Sequence, residues 1–112
     1  MTLDAAADLA PVDRVKIARY AGASGDFNPM HVDEAFAQAA GMPSVIAHGP
    51  LTLSLVVDAL IAQGLEPKAL RSRLRAPVFP GDRLTLGPAG EGGGLEVTKD
   101  DGTVVVTIEL TV

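Results

Sequence analysis

Along the last third of the chain, apolar and polar residues alternate. Leu70, Ser72 and Leu74 set against Arg71, Arg73 and Arg75 have the two-residue period of a half-buried strand, which ends at Pro77. Pro80-Gly81-Asp82 reads as a turn and Arg83 to Leu86 as the next strand, broken by the run Gly92-Gly93-Gly94. Asp100-Asp101-Gly102 predicts a hairpin turn between strands over 95–98 and 103–112. In the last strand Val104, Val106, Ile108, Leu110 and Val112 face one way; Val105, Thr107, Glu109 and Thr111 face the other.

The first two-thirds has a helical pattern. Asp13 is a candidate N-cap, followed by an apolar stripe of Val15, Ile17, Ala18, Tyr20 and Ala21 that Gly22, Ser24 and Gly25 should stop. A second short helix is predicted from Asp33 to just before Gly41, which suits a left-handed cap. The longest starts at Gly49-Pro50, where a first-turn proline is tolerated. Its residues 51–62 are apolar on nearly all sides, so this helix must be surrounded. Only a curved sheet from the C-terminal third is wide enough, which predicts an α+β architecture: an antiparallel sheet wrapped around one long central helix.

Composition narrows the chemistry. The 112 residues amount to a single domain, 1–112, with 47% hydrophobic and 21% charged residues, an ordinary globular balance. The absence of cysteine removes disulfides, thiolate nucleophiles and cysteine-ligated metals. Nine Lys plus Arg against 14 Asp plus Glu give a net charge of −5, which argues against a nucleic-acid binder. The N-terminal residues lack a basic and apolar export signal, so a cytoplasmic location is expected. Residues 51–65 would span only about 22 Å as a helix, short of the roughly 30 Å hydrocarbon core, so no membrane association is expected.

Two stretches carry polar residues that look out of place. In Ser24-Gly25-Asp26-Phe27-Asn28-Pro29-Met30-His31, Pro29 drives Asn28 out of helical geometry and predicts a turn that aims Asp26 and His31 into one pocket. Such a pair can hold a water, accept its proton and deliver it elsewhere. Equally, Asp26 and Asn28 can be turn formers bonded to their own backbone, with His31 a surface residue or satisfied partner. In Ile46-Ala47-His48-Gly49-Pro50, the helix start presents unpaired N–H groups, and Gly49 lets a ligand approach them to stabilise an oxyanion. Read structurally instead, Gly49 is a tight-turn residue and His48 a cap or packing group.

Together the two stretches are far more specific. Tyr20-Ala21-x-x-Ser24-Gly25-Asp26-x-Asn28-Pro29-Met30-His31-x-Asp33, followed by Ala47-His48-Gly49 and later by Ala76-Pro77-Val78-x-Pro80-Gly81-Asp82, resembles the signature of the MaoC-like (R)-specific enoyl-CoA hydratases. The resemblance implies a hot-dog fold and a homodimer whose sheets join. It implies reversible hydration of a trans-2-enoyl thioester, carried by CoA or an acyl carrier protein, to the (R)-3-hydroxyacyl thioester. By matching position, Asp26 and His31 would be the catalytic pair and the Gly49 N–H the oxyanion hole, with Ser24, Asn28 and His48 supporting. No cofactor and no metal is needed for this chemistry.

Two departures stand out: the short segment before Asp13 suggests a trimmed sheet edge, and Pro50 replaces the Met often found after His-Gly, which bears on the acyl tunnel. Arg71, Arg73 and Arg75, with Lys68 nearby, would supply a basic patch for substrate phosphates, or simply form a solvated outer face. The alternatives are an acyl-CoA thioesterase on the same fold and an acyl-binding partner subunit of a heteromeric dehydratase. A metal hydrolase fits worst, since two histidines with Asp26 make a poor ligand set and His48 belongs to a different element.

Overall fold

The computed structural model describes residues 6–90 and 94–112; the first two glycines of the predicted strand break, and residues 1–5, lie outside them. Helix ends follow local signals. The Asp13 carboxylate accepts the Lys16 N–H at 2.7 Å and starts α1 (Arg14–Ser24). Gly25, at φ 78°, ends it; Gly22 does not interrupt it, contrary to expectation. The stripe is also narrower than predicted: Ile17 and Ala21 are buried, whereas Val15 is exposed. A one-turn helix α2 (Pro29–Val32) follows, capped by Asn28, and then α3 (Glu34–Ala39), capped by Asp33 and followed by Gly41 at φ 95°.

The long helix α4 (Gly49–Ala62) begins at the predicted residue. It leads into β2 (Ala69–Leu74), β3 (Leu84–Pro88), β4 (Leu95–Lys99) and β5 (Val104–Thr111); a short β1 (Ala7–Asp8) precedes α1. All pairings are antiparallel, in the order β1-β3-β4-β5-β2. Among the described residues β1 and β2 form the two edges of the sheet. The β4–β5 hairpin turns at Gly102, whose N–H bonds the Lys99 carbonyl at 2.9 Å. Hydrogen bonds from the Thr103 side chain and amide hold the Asp101 carboxyl there below the usual carboxylate range.

Helix α4 lays Leu51, Leu55, Val56 and Leu60 on a sheet core of Leu84, Leu86, Leu95, Val97, Val106 and Ile108. It is not surrounded, however: Ser54, Asp58 and Ile61 are exposed, because one layer of strands covers one side of a helix. The alternation of β5 also breaks. The register shifts between Val97, opposite Val106, and Thr98, opposite Val104, so Val105 is an extra, unpaired residue. Val105 is therefore buried although the pattern set it with Thr107 and Glu109. Among the described residues, no helix is long and apolar enough to cross a membrane.

Candidate active site

Residues 24–30 fold by bonding to themselves. Ser24 Oγ accepts the Asp26 N–H at 3.1 Å, Asp26 Oδ1 accepts the Asn28 N–H at 3.2 Å, and Asn28 Oδ1 accepts the Met30 N–H at 3.0 Å. The turn-former reading of Asp26 and Asn28 is thus correct as far as it goes. It uses only one oxygen of Asp26. The other, Oδ2, lies 3.9 Å from His31 Nε2, and the side chains are 53% and 13% exposed respectively. His31 sits on the helical turn α2 rather than in the open turn expected, and that turn brings its ring inward.

Opposite this loop is the start of α4. A carbonyl can only accept, so the 2.7 Å contact between His31 Nδ1 and the Ile46 oxygen puts a proton on Nδ1 and turns the other ring nitrogen, Nε2, toward Asp26. His48 is buried, at 1% exposure, and its Nε2–H donates to the Asp26 carbonyl at 3.0 Å. Its ring stacks on His31 with centroids 3.7 Å apart and planes at 21°, and meets Tyr20 at 4.8 Å. His48 makes no side-chain capping bond to α4, so of the two structural roles expected for it only packing is realised.

His48 does belong to a different element from His31, at the start of α4 rather than in α2, but the fold brings the two together. Asp26, His31 and His48 offer potential ligand atoms within 4.8 Å of one another. Their orientation is nevertheless poor for a cation: two stacked imidazoles direct their in-plane lone pairs side by side rather than to one point, and two of the four ring nitrogens are spent on backbone carbonyls.

His31 and Gly49 line a cavity of about 430 Å³ with Ala47, Thr52, Leu74 and Val105 among its walls. As the first residue of α4, Gly49 has an N–H without an acceptor in the helix. A Cβ on Gly49 would fall 2.5 Å from Leu74 Cδ1, so the absence of a side chain allows this close approach. Pro50 is exposed and does not line the cavity.

Arg75 lines the same cavity and also a second, polar groove of about 510 Å³ with Arg71, Arg73, Thr107 and Glu109. There Arg71 faces Glu109 at 4.0 Å, both highly exposed. Sequence reasoning missed Leu74, Val105, Thr52 and the Ile46 carbonyl. Thr52, a buried polar residue one turn into an apolar helix, was the one with a visible signal.

A family model described as "MaoC like domain" matches residues 3–112. Over 66 residues the chain is 39% identical to the peroxisomal enoyl-CoA hydratase 2 of Arabidopsis thaliana, covering 54% of this chain and 21% of that protein. Over 63 residues it is 43% identical to the peroxisomal hydratase-dehydrogenase-epimerase of Saccharomyces cerevisiae, covering 56% of this chain and 7% of that one. The chain therefore spans a small part of these relatives' length. The solved (R)-hydratase from A. caviae, involved in PHA biosynthesis, superposes with a TM-score of 0.79 at 27% identity, covering 98% of this chain and 94% of that one.

Proposed function

This chain belongs to the MaoC-like domain family, whose solved members share its hot-dog fold, and on that premise we propose that it catalyses reversible hydration of a trans-2-enoyl thioester to the (R)-3-hydroxyacyl thioester. The observation that carries this reading is the gap of 3.9 Å between Asp26 Oδ2 and His31 Nε2 beside an apolar cavity that Gly49 also lines. That gap is too long for a direct hydrogen bond and suits one water bonded to both groups.

His31 Nε2 removes a proton as the water oxygen bonds to C3, while Asp26 orients the water. The C2–C3 π electrons move toward the thioester oxygen. The Gly49 N–H at the start of α4 meets that growing charge, already oriented by the helix. The proton then passes from the pair to C2, so the atoms of one water are added and the site is restored. Ser24 and Asn28 support the reaction by holding the loop on which Asp26 stands.

The arginine groove extends the reading to the substrate's carrier. Arg75 borders both spaces, so a thioester with its acyl part in the cavity can lay an anionic carrier, CoA or the phosphopantetheine of an acyl carrier protein, along Arg73 and Arg71. The edge position of β2 supports a homodimer in which a second copy continues the sheet.

The test is a hydration assay across a series of enoyl-CoA lengths, with stereochemical analysis of the product. Formation of the (R)-3-hydroxyacyl-CoA is expected. An (S) product, or free CoA thiol released from saturated acyl-CoA without hydration, would overturn the reading, the latter in favour of a thioesterase.

A further inference from the structure

Resting on that hydratase reading, we propose that His48 is a positioning residue that holds Asp26, His31 and Gly49 in one arrangement through a single tautomer protonated at Nε2. A buried polar side chain is costly unless its atoms are paired. Here the ring is 1% exposed, and among the described residues its Nδ1 has no hydrogen-bond partner. An apolar side chain would fill the same volume without that unpaired atom. What distinguishes histidine at this position is the one bond it makes, to the Asp26 carbonyl 22 residues away, and the ring face it presents to His31.

Each contact restrains a different degree of freedom. The Nε2–H bond ties the backbone of Asp26 to the start of α4, which sets where the Asp26 carboxylate can reach. The Ile46 carbonyl holds the edge of the His31 ring, but a single hydrogen bond still allows that ring to tilt. Stacking at 3.7 Å blocks the tilt from one side and keeps His31 Nε2 directed at Asp26. Tyr20 of α1 backs the His48 ring. Because Gly49 is the next residue in the chain, displacement of His48 would move both members of the pair and the helix start together. Among the described residues, Tyr20, His31 and the Asp26 carboxylate are the titratable groups near the His48 ring.

Only two histidines are present, so ring-nitrogen NMR on protein labelled with 15N-histidine reads both directly. The expected pattern is a proton on Nε2 for His48 and on Nδ1 for His31. His48→Phe keeps a flat ring without a donor, and in it the amide signal of Phe27, whose peptide group carries the Asp26 carbonyl, should shift in uniformly 15N-labelled protein while His31 keeps its Nδ1 proton on Ile46; His48→Gln keeps an N–H donor and should leave the Phe27 signal near its wild-type place. In turnover, His48→Phe should lower kcat about 100-fold with KM changed less than about twofold, as displacement without loss of a substrate contact predicts. His48→Gln should recover about tenfold of that loss.

If the phenylalanine variant does not fold, His48→Leu serves the same arm. A His48 proton on Nδ1, an unmoved Phe27 amide signal in the donor-less variant, or full kcat in it would each overturn the proposal. Wild-type protein that shows the two expected ring protons, with the Phe27 shift in the donor-less variant, yet hydrates no enoyl thioester would sink the hydratase reading alone and support the positioning of Asp26 by His48.

Discussion

The two polar regions of this molecule are built on opposite principles. Around Asp26 and His31, each polar side chain is tied to backbone by one of its atoms: Asp26 and Asn28 within their loop, His31 to Ile46, His48 to Asp26. Along β2, the arginines stand in solvent, and the ion pair of Arg71 with Glu109 is long and exposed. Long, hydrated side chains in water contribute little to stability and adapt to a ligand's shape. Fixed groups with partly excluded water are what a reaction requires. The contrast teaches that placement, rather than the number of charges, separates a site that performs chemistry from a surface that collects substrate.

Substitution within the fixed region should have the largest effect. Asp26→Asn and His31→Ala each remove a proton-handling group and should lower hydration by about 10³-fold, within the range for general acid–base catalysis, while circular dichroism and solution mass remain those of the parent. Near-normal turnover in either variant would erase the contrast, since the fixed corner would then be structural only.

A smaller effect is expected at the point where the helix start meets β2. In Gly49→Ala the new Cβ must displace Leu74, a residue 58% exposed and therefore free to turn. Stability should change by less than about 1 kcal/mol, because the clash falls on the end of a flexible, solvent-facing chain. Activity should fall about tenfold as Leu74 is pushed across the cavity mouth, a displacement of the kind that costs up to about 100-fold in rate. Gly49→Ala with Leu74→Ala should restore it, because the Gly49 N–H survives in both. A double variant as slow as the single one would show that the glycine serves the N–H geometry itself and not the approach of Leu74.

The mildest outcome belongs to the exposed region. Replacing Arg71, Arg73 and Arg75 with alanine should leave kcat in place and raise KM for acyl-CoA about tenfold at low salt, a difference that shrinks as salt screens the phosphates. Arg75→Ala alone should account for most of it, since only Arg75 reaches both spaces. KM that stays constant across salt concentrations would make these arginines a solvated face and nothing more.

Much of the fold was legible because its signals are local. Asp13 and Asp33 cap helices with their own side chains, Pro50 marks the first turn of α4, and Gly102 turns the last hairpin; each effect acts within a few residues. The Asp26 loop was legible for the same reason, as a series of side chains bonded two residues ahead along the backbone. Val105 was misplaced because strict alternation carries no record of a bulge, which is set by the neighbouring strand. The extent to which α4 is covered was also misjudged, since an apolar helix announces that it must be buried but not which neighbours cover which face.

The sequence alone thus determined where helices and strands start and stop, and which residue types were available for proton chemistry, because these follow from backbone sterics and the donor and acceptor groups each residue carries. Tertiary structure alone decided that His48 lies flat on His31, that the Ile46 carbonyl selects the His31 tautomer, and that Leu74 rests on Gly49. Those contacts join residues 15 to 25 positions apart through packing of α2, α4 and β2, and packing depends on how volumes fit in three dimensions, which no spacing along a chain records.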